Sequence, residues 1–82
     1  MKVIVVEDNP IYNDYVCNFL KKGGFETMQA YRLSAAKKLL AKAEEEDIVL
    51  ADLRLPDGEG IDLLRWMRME EKRQPFIVMT DY

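Results

Sequence analysis

No histidine occurs among the 82 residues. Its absence removes Ser-His-Asp and Cys-His arrangements, the commonest general base and every histidine-containing zinc site. A single cysteine, Cys17, permits no internal disulfide and has no second sulfur with which to hold zinc, so it is expected simply to pack. The net charge is -3 and there is no basic cluster, which argues against direct binding of nucleic acid and its phosphate backbone. No apolar run approaches the roughly 18 residues of a membrane span, and the opening "MKVIVVED" is too short and too acidic for a secretory leader. A cytoplasmic protein with no membrane partner is expected. Only three prolines and four glycines are present, and no repeat or low-complexity stretch divides the chain, so residues 1–82 read as one domain.

What the chain does contain is a series of short β-branched runs. "VIVV" (Val3 to Val6), the stretch around Ile48 to Ala51 and the stretch around Phe76 to Met79 are apolar at consecutive positions. Strands apolar on both faces belong in a covered parallel sheet. "FETMQAY", Phe25 to Tyr31, alternates weakly and reads as an edge strand. Between the first two strands Asn9 can cap a helix with Pro10 at its first position. Ile11, Tyr15 and Phe19, beside Tyr12, Val16 and Leu20, supply two apolar ridges, and Gly23 and Gly24 end it. Ser34 can cap a second helix whose Ala36, Leu39, Leu40 and Ala43 form one face. The acids Glu44 to Asp47 close that helix as a solvated end, since consecutive helical residues point about 100° apart and cannot converge on one ion. A loop containing Pro56, Gly58 and Gly60 leads to a third helix from about Ile61 to Met69, with Ile61, Leu64 and Met67 inward and Trp66 half exposed but packing. The order βαβαβαβ with short connections is an open α/β sheet.

Right-handed crossovers bring the C-terminal ends of parallel strands to one edge, where ligands bind at the point of winding reversal. The first strand ends in Glu7 and Asp8, the third in Asp52 and the fourth in Thr80. With strand order 2-1-3-4, three carboxylates share one pocket. Two like charges ~5 Å apart at an effective dielectric near 20 repel by about 3 kcal/mol, a conflict that a divalent cation removes. Oxygen-only ligands with room for water suit Mg2+. A carboxylate nucleophile beside Mg2+ and a hydroxyl across the pocket are the parts required for aspartyl phosphorylation. The competing role for these acids is local: Glu7 and Asp8 capping the helix at Pro10, and Asp52 bonding the adjacent loop.

These segments resemble the receiver domain of two-component response regulators across the whole chain. "VIVVED" is similar to its first strand and acidic pair, "VLADLRLPDGEG" to its phospho-acceptor strand and loop, with Pro56 four and Gly60 eight residues after the acceptor, and "IVMT" to its switch strand. The resemblance implies the flavodoxin-like receiver topology. It implies that Asp52 accepts a phosphoryl group from the phosphohistidine of a sensor histidine kinase. It further implies that Glu7, Asp8, Asp52 and the main-chain carbonyl of Arg54 hold Mg2+, that Thr80 is the switch hydroxyl, and that the module regulates an attached output domain of the transcriptional kind. It also implies a longer unit, so a fifth strand with its phosphate-pairing lysine and two last helices are expected to be missing. Without that lysine, phosphorylation of Asp52 by small phosphodonors is expected to be slow or undetectable. Asp81, beside Thr80, departs from the small residue usual there; pairing with Arg54 and plain solvation are both open.

The alternative is a receiver-like chain that no longer switches and serves as a docking or dimerisation module. The fourth strand, expected to be an unpaired edge, and an uncovered sheet face should make the chain self-associate. A compact monomer in sedimentation at high concentration would contradict this. An enzyme is not expected: Arg54 rather than a second acid stands two residues past Asp52, and no Gly-rich phosphate loop follows the first strand.

Overall fold

The computed structural model describes residues 1–79. The elements in chain order are β1 (Lys2–Val6), α1 (Pro10–Lys22), β2 (Glu26–Ala30), α2 (Leu33–Leu40), β3 (Ile48–Asp52), the two-residue strands β4 (Arg54–Leu55) and β5 (Gly58–Glu59), α3 (Gly60–Met69) and β6 (Phe76–Met79). Four strands form a parallel sheet in the order β2-β1-β3-β6, which is the expected 2-1-3-4 arrangement. The segment after Asp52, read from sequence as a plain loop, contains a small antiparallel ribbon in which Arg54 faces Glu59 and Leu55 faces Gly58.

The β-branched run of β1 divides by residue parity between two cores. Ile4 and Val6 join Val49, Ala51, Leu33, Ala36, Leu40, Leu63 and Met67 under α2 and α3. Val3 and Val5 join Cys17 on the opposite face, under α1, with Val16, Leu20 and Leu50 packed against them. Each fully buried Val, Ile or Leu contributes roughly 1.5–3 kcal/mol of transfer free energy, so a continuous apolar strand is what a sheet covered on both sides requires. Cover on the α1 side is incomplete, for Ile77 of β6 is 51% exposed.

Helix α1 begins as its sequence demands: the Asn9 side chain accepts hydrogen bonds from the amides of Ile11 (3.0 Å) and Tyr12 (3.2 Å), and Pro10 follows. Its inward face keeps Val16 and Leu20 of the second apolar ridge but not the first ridge. Ile11 is 82% exposed and Phe19 71%, with Tyr15 also outside, while Asn13 and Cys17 are buried. Asn13 is held inward by the backbone of two strands: its amide nitrogen donates to the carbonyls of Glu7 (3.0 Å) and Ala30 (3.2 Å), and its oxygen accepts from Gln29 (2.9 Å). A buried amide so satisfied joins α1 to the ends of both β1 and β2.

Three further expectations are corrected. Ser34 does not cap α2; the cap position is Arg32, and the open amides of Leu33 and Ser34 donate instead to the carboxylate of Asp57 (2.7 and 3.1 Å), 24 and 23 residues away in the ribbon turn. Helix α3 buries Gly60, Leu63 and Met67, whereas Ile61 is exposed and Leu64 only partly covered. The "EEED" run is not uniformly solvated, because Asp47 is buried and accepts from the amides of Lys2 (2.9 Å) and Glu44 (2.9 Å). Burial alone would raise its pKa, but those two amides, with the amino terminus and Lys2, hold the carboxyl below the ordinary aspartate value. Trp66 packs on the core beneath Lys37, whose ammonium lies 5.6 Å from the ring centroid.

Candidate functional site

The register of the sheet builds the site. Val6 lies opposite Ala51, so Glu7, just past β1, and Asp52, the last residue of β3, stand side by side at the sheet edge. On the other flank Asp52 lies opposite Met79. Thr80, which follows, and Asp81 lie outside the described residues.

Glu7, Asp8 and Asp52 each offer a carboxylate oxygen, and the three lie within 4.8 Å of one another. With Asn9 and Tyr12 they line a cavity of about 370 Å³. A larger cavity of about 460 Å³, bounded by Met28, Lys38, Leu39, Ala41 and Lys42, contains no such carboxylate group. The charge density, not the volume, singles out the first.

Glu7 and Asp52 also make local backbone contacts, although the cap of α1 is Asn9 and neither Glu7 nor Asp8 takes that place. Glu7 accepts from the amide of Asn9 (2.9 Å) just ahead of α1, and Asp52 accepts from the amide of Leu53 (2.8 Å). These bonds fix the carboxylates in orientation without neutralising them. Glu7 is 4% exposed. Its pKa is pushed up to about 7 by burial, opposed by the Asn9 amide and reinforced by hydrogen bonding to Asp8 and by the charges of Asp52 and Asp8. A carboxyl whose burial, more than the two acids beside it, resists ionisation is a site whose preferred occupant is a proton or a cation. The all-oxygen donor set fits Mg2+ in kind and in its need for retained water.

Gly60, the first residue of α3, is buried directly against the backbone of Asp52, and a Cβ there would collide with the Asp52 carbonyl oxygen. The Gly60 amide donates to the carbonyl of Leu53 (2.8 Å). Helix α3 is thereby seated on the chain immediately following the central acid. Asp57 ties the same ribbon to α2, and the Leu33 amide is the main reason that its carboxyl lies below the ordinary aspartate value.

Arg54 is exposed in β4 and is not among the residues lining the acidic cavity. Sequence reasoning missed Asn13 and Asp57, and it placed Tyr12 on a packing ridge. The signal for Asn13 was present as a polar residue four positions before Cys17, on the side that the strand ends face.

A family model described as the response regulator receiver domain matches residues 3–82. The response regulator protein PilR of Pseudomonas aeruginosa is 32% identical over 99% of this chain, which covers 18% of PilR. Sporulation initiation phosphotransferase F of Bacillus subtilis is 30% identical over 99% of this chain, which covers 64% of it. Among solved structures, the MaeR response regulator bound to beryllium trifluoride superimposes with a TM-score of 0.88 and 36% identity, over 100% of this chain and 68% of that one. The chain thus spans less than two thirds of the length of these curated relatives.

Proposed function

The chain belongs to the response regulator receiver domain family, and from that premise we propose that Asp52 is its phospho-acceptor. The observation that carries the proposal is the convergence of three carboxylates within 4.8 Å from the ends of two strands held in register. Glu7, Asp8, Asp52 and the main-chain carbonyl of Arg54 would hold Mg2+, which supplies charge neutralisation for the incoming phosphoryl oxygens. Glu7 and Asp8 keep the pocket polar and oriented. Asp52, half-buried and fixed by the Leu53 amide, presents a carboxylate oxygen to phosphorus as the nucleophile. A phosphohistidine of a sensor histidine kinase is the donor, Thr80 supplies the hydroxyl that reads the product, and an attached output domain, transcriptional in kind, receives the signal in the cytoplasm. No described helix is long and apolar enough to cross a membrane.

The test is to incubate the chain with Mg2+ and acetyl phosphate and to follow its mass over hours. Any phosphoryl group gained, however slowly, is expected on Asp52 alone, to vanish in Asp52→Asn and to be suppressed by chelation of the metal. A gain that survives Asp52→Asn overturns the assignment. The exposed Ile77 and Val78 of β6 favour a second reading, a docking or dimerisation module that does not switch. A chain that binds no Mg2+ and takes up no phosphoryl group, yet sediments as a dimer, supports that reading instead.

A further inference from the structure

Among the described residues, one aromatic side chain lines the acidic cavity, and the carboxylate chemistry gives it no task. Tyr12 borders the pocket together with Glu7, Asp8, Asn9 and Asp52. It stands in the first turn of α1, where the Asn9 side chain holds its amide (3.2 Å). The residue is 38% exposed and so presents accessible surface at the pocket mouth. Tyr15 backs it, the two rings stacked with centroids 6.5 Å apart and an interplanar angle of 19°. An exposed aromatic pair beside a nucleophilic carboxylate is a rigid platform for a planar group.

We propose that Tyr12 is a donor-recognition residue that stacks on the imidazole ring of the incoming phosphodonor. This rests on the reading of Asp52 as phospho-acceptor. In the transfer, an Asp52 oxygen donates an electron pair to phosphorus and the new O–P bond forms as the P–N bond breaks. The P–N electron pair returns to the ring nitrogen. The donor reacts in its ring-protonated form, whose other nitrogen carries the proton, so the ring departs as neutral imidazole and no external acid or base is needed. A ring seated flat against Tyr12 has its phosphorus directed into the cavity and its leaving nitrogen held outward, which is an orientational gain unavailable to a donor without a ring. Tyr12 thereby makes the pocket discriminate among donors of the same bond type.

Phosphoimidazole and phosphoramidate both carry a P–N bond, and only the first carries a ring. With Mg2+ present, the rate of phosphoryl gain from each is measured by mass for the wild type, Tyr12→Phe and Tyr12→Leu. The ratio of phosphoimidazole to phosphoramidate rates is expected to fall about threefold to tenfold in Tyr12→Leu and to be retained in Tyr12→Phe. An unchanged ratio in Tyr12→Leu, or an equal fall in Tyr12→Phe, overturns the stacking role while leaving Asp52 as acceptor intact. Modification that persists in Asp52→Asn instead overturns the reading on which the proposal rests.

Discussion

Gly60→Ala is expected to destabilise the fold by about 3 kcal/mol, at the upper end of what overpacking a core costs. The added methyl would meet backbone, namely the carbonyl of Asp52 and the Cα of Leu53, and not the movable end of a side chain. Either the start of α3 must lift from β3 or the Asp52 peptide must turn. Lifting α3 also withdraws Leu63 and Met67, both fully buried, from the larger core. For a domain of this size the melting midpoint should fall by more than about 10 °C. Turning the peptide moves the carboxylate that completes the triad, so Mg2+ affinity should fall by at least about tenfold as well. Gly23→Ala is the control. At that position φ is ordinary and the nearest atom is 3.4 Å away, so its effect should stay below about 1 kcal/mol. Thermal melts with and without Mg2+ read both quantities. A Gly60→Ala chain that melts like the wild type and binds Mg2+ equally well would mean that the contact between α3 and Asp52 is not what positions the acid.

That contact also shows where sequence reasoning has reach. The β-branched runs specify strands because a sheet covered on both faces needs apolar residues at every position, and Val3 to Val6 fill two cores at once. The carboxylates were legible for a topological reason: each follows a strand, and parallel order puts strand ends together. Side-chain direction on α1 was only half legible from periodicity: Val16 and Leu20 pack against the sheet, and Ile11, Tyr15 and Phe19 do not. Apolar content offers two ridges, Ile11, Tyr15 and Phe19 beside Tyr12, Val16 and Leu20, and the helix turns Asn13 inward beside the second, where its amide nitrogen donates to the Glu7 and Ala30 carbonyls at the strand ends. The cap of α2 was hidden for a related reason. Asp57 reaches Leu33 and Ser34 across more than twenty residues, and only the folded ribbon brings them together. The Gly60 spacing was visible as part of a motif, but its cause, an approach to backbone too close for any Cβ, is visible only in three dimensions.

Raising the pH from about 5 to 8 is expected to destabilise the metal-free chain and, over the same range, to strengthen Mg2+ binding. Both follow from Glu7. Its pKa in the fold is about 7 against 4.5 for the unperturbed group. The folded state therefore holds this proton more tightly than the unfolded state. The associated stability is fully present below about 4.5 and is lost as pH rises through about 7. The loss is no more than about 3 kcal/mol, and less to the extent that water at the cavity mouth screens Asp8 and Asp52. A metal that needs the ionised carboxylate competes with the proton, so apparent affinity should drop close to tenfold per pH unit below 7, roughly thirtyfold by pH 5.5. Mg2+ should accordingly raise the melting midpoint strongly at pH 8 and little at pH 5.5. Glu7→Gln removes the charge and keeps the shape. It should melt higher than the wild type at pH 8 without metal, lose most of the slope between pH 5 and 8, and bind Mg2+ at least about tenfold more weakly. Calorimetric melts across pH, each with and without Mg2+, separate these effects. An equal Mg2+-induced shift at pH 5.5 and pH 8 in the wild type, or a Glu7→Gln chain that keeps the wild-type response to metal, would show that the buried carboxyl is not a ligand. The cation would then have to be held by Asp8 and Asp52 alone, leaving the burial of Glu7 as a cost to the fold with no metal to offset it.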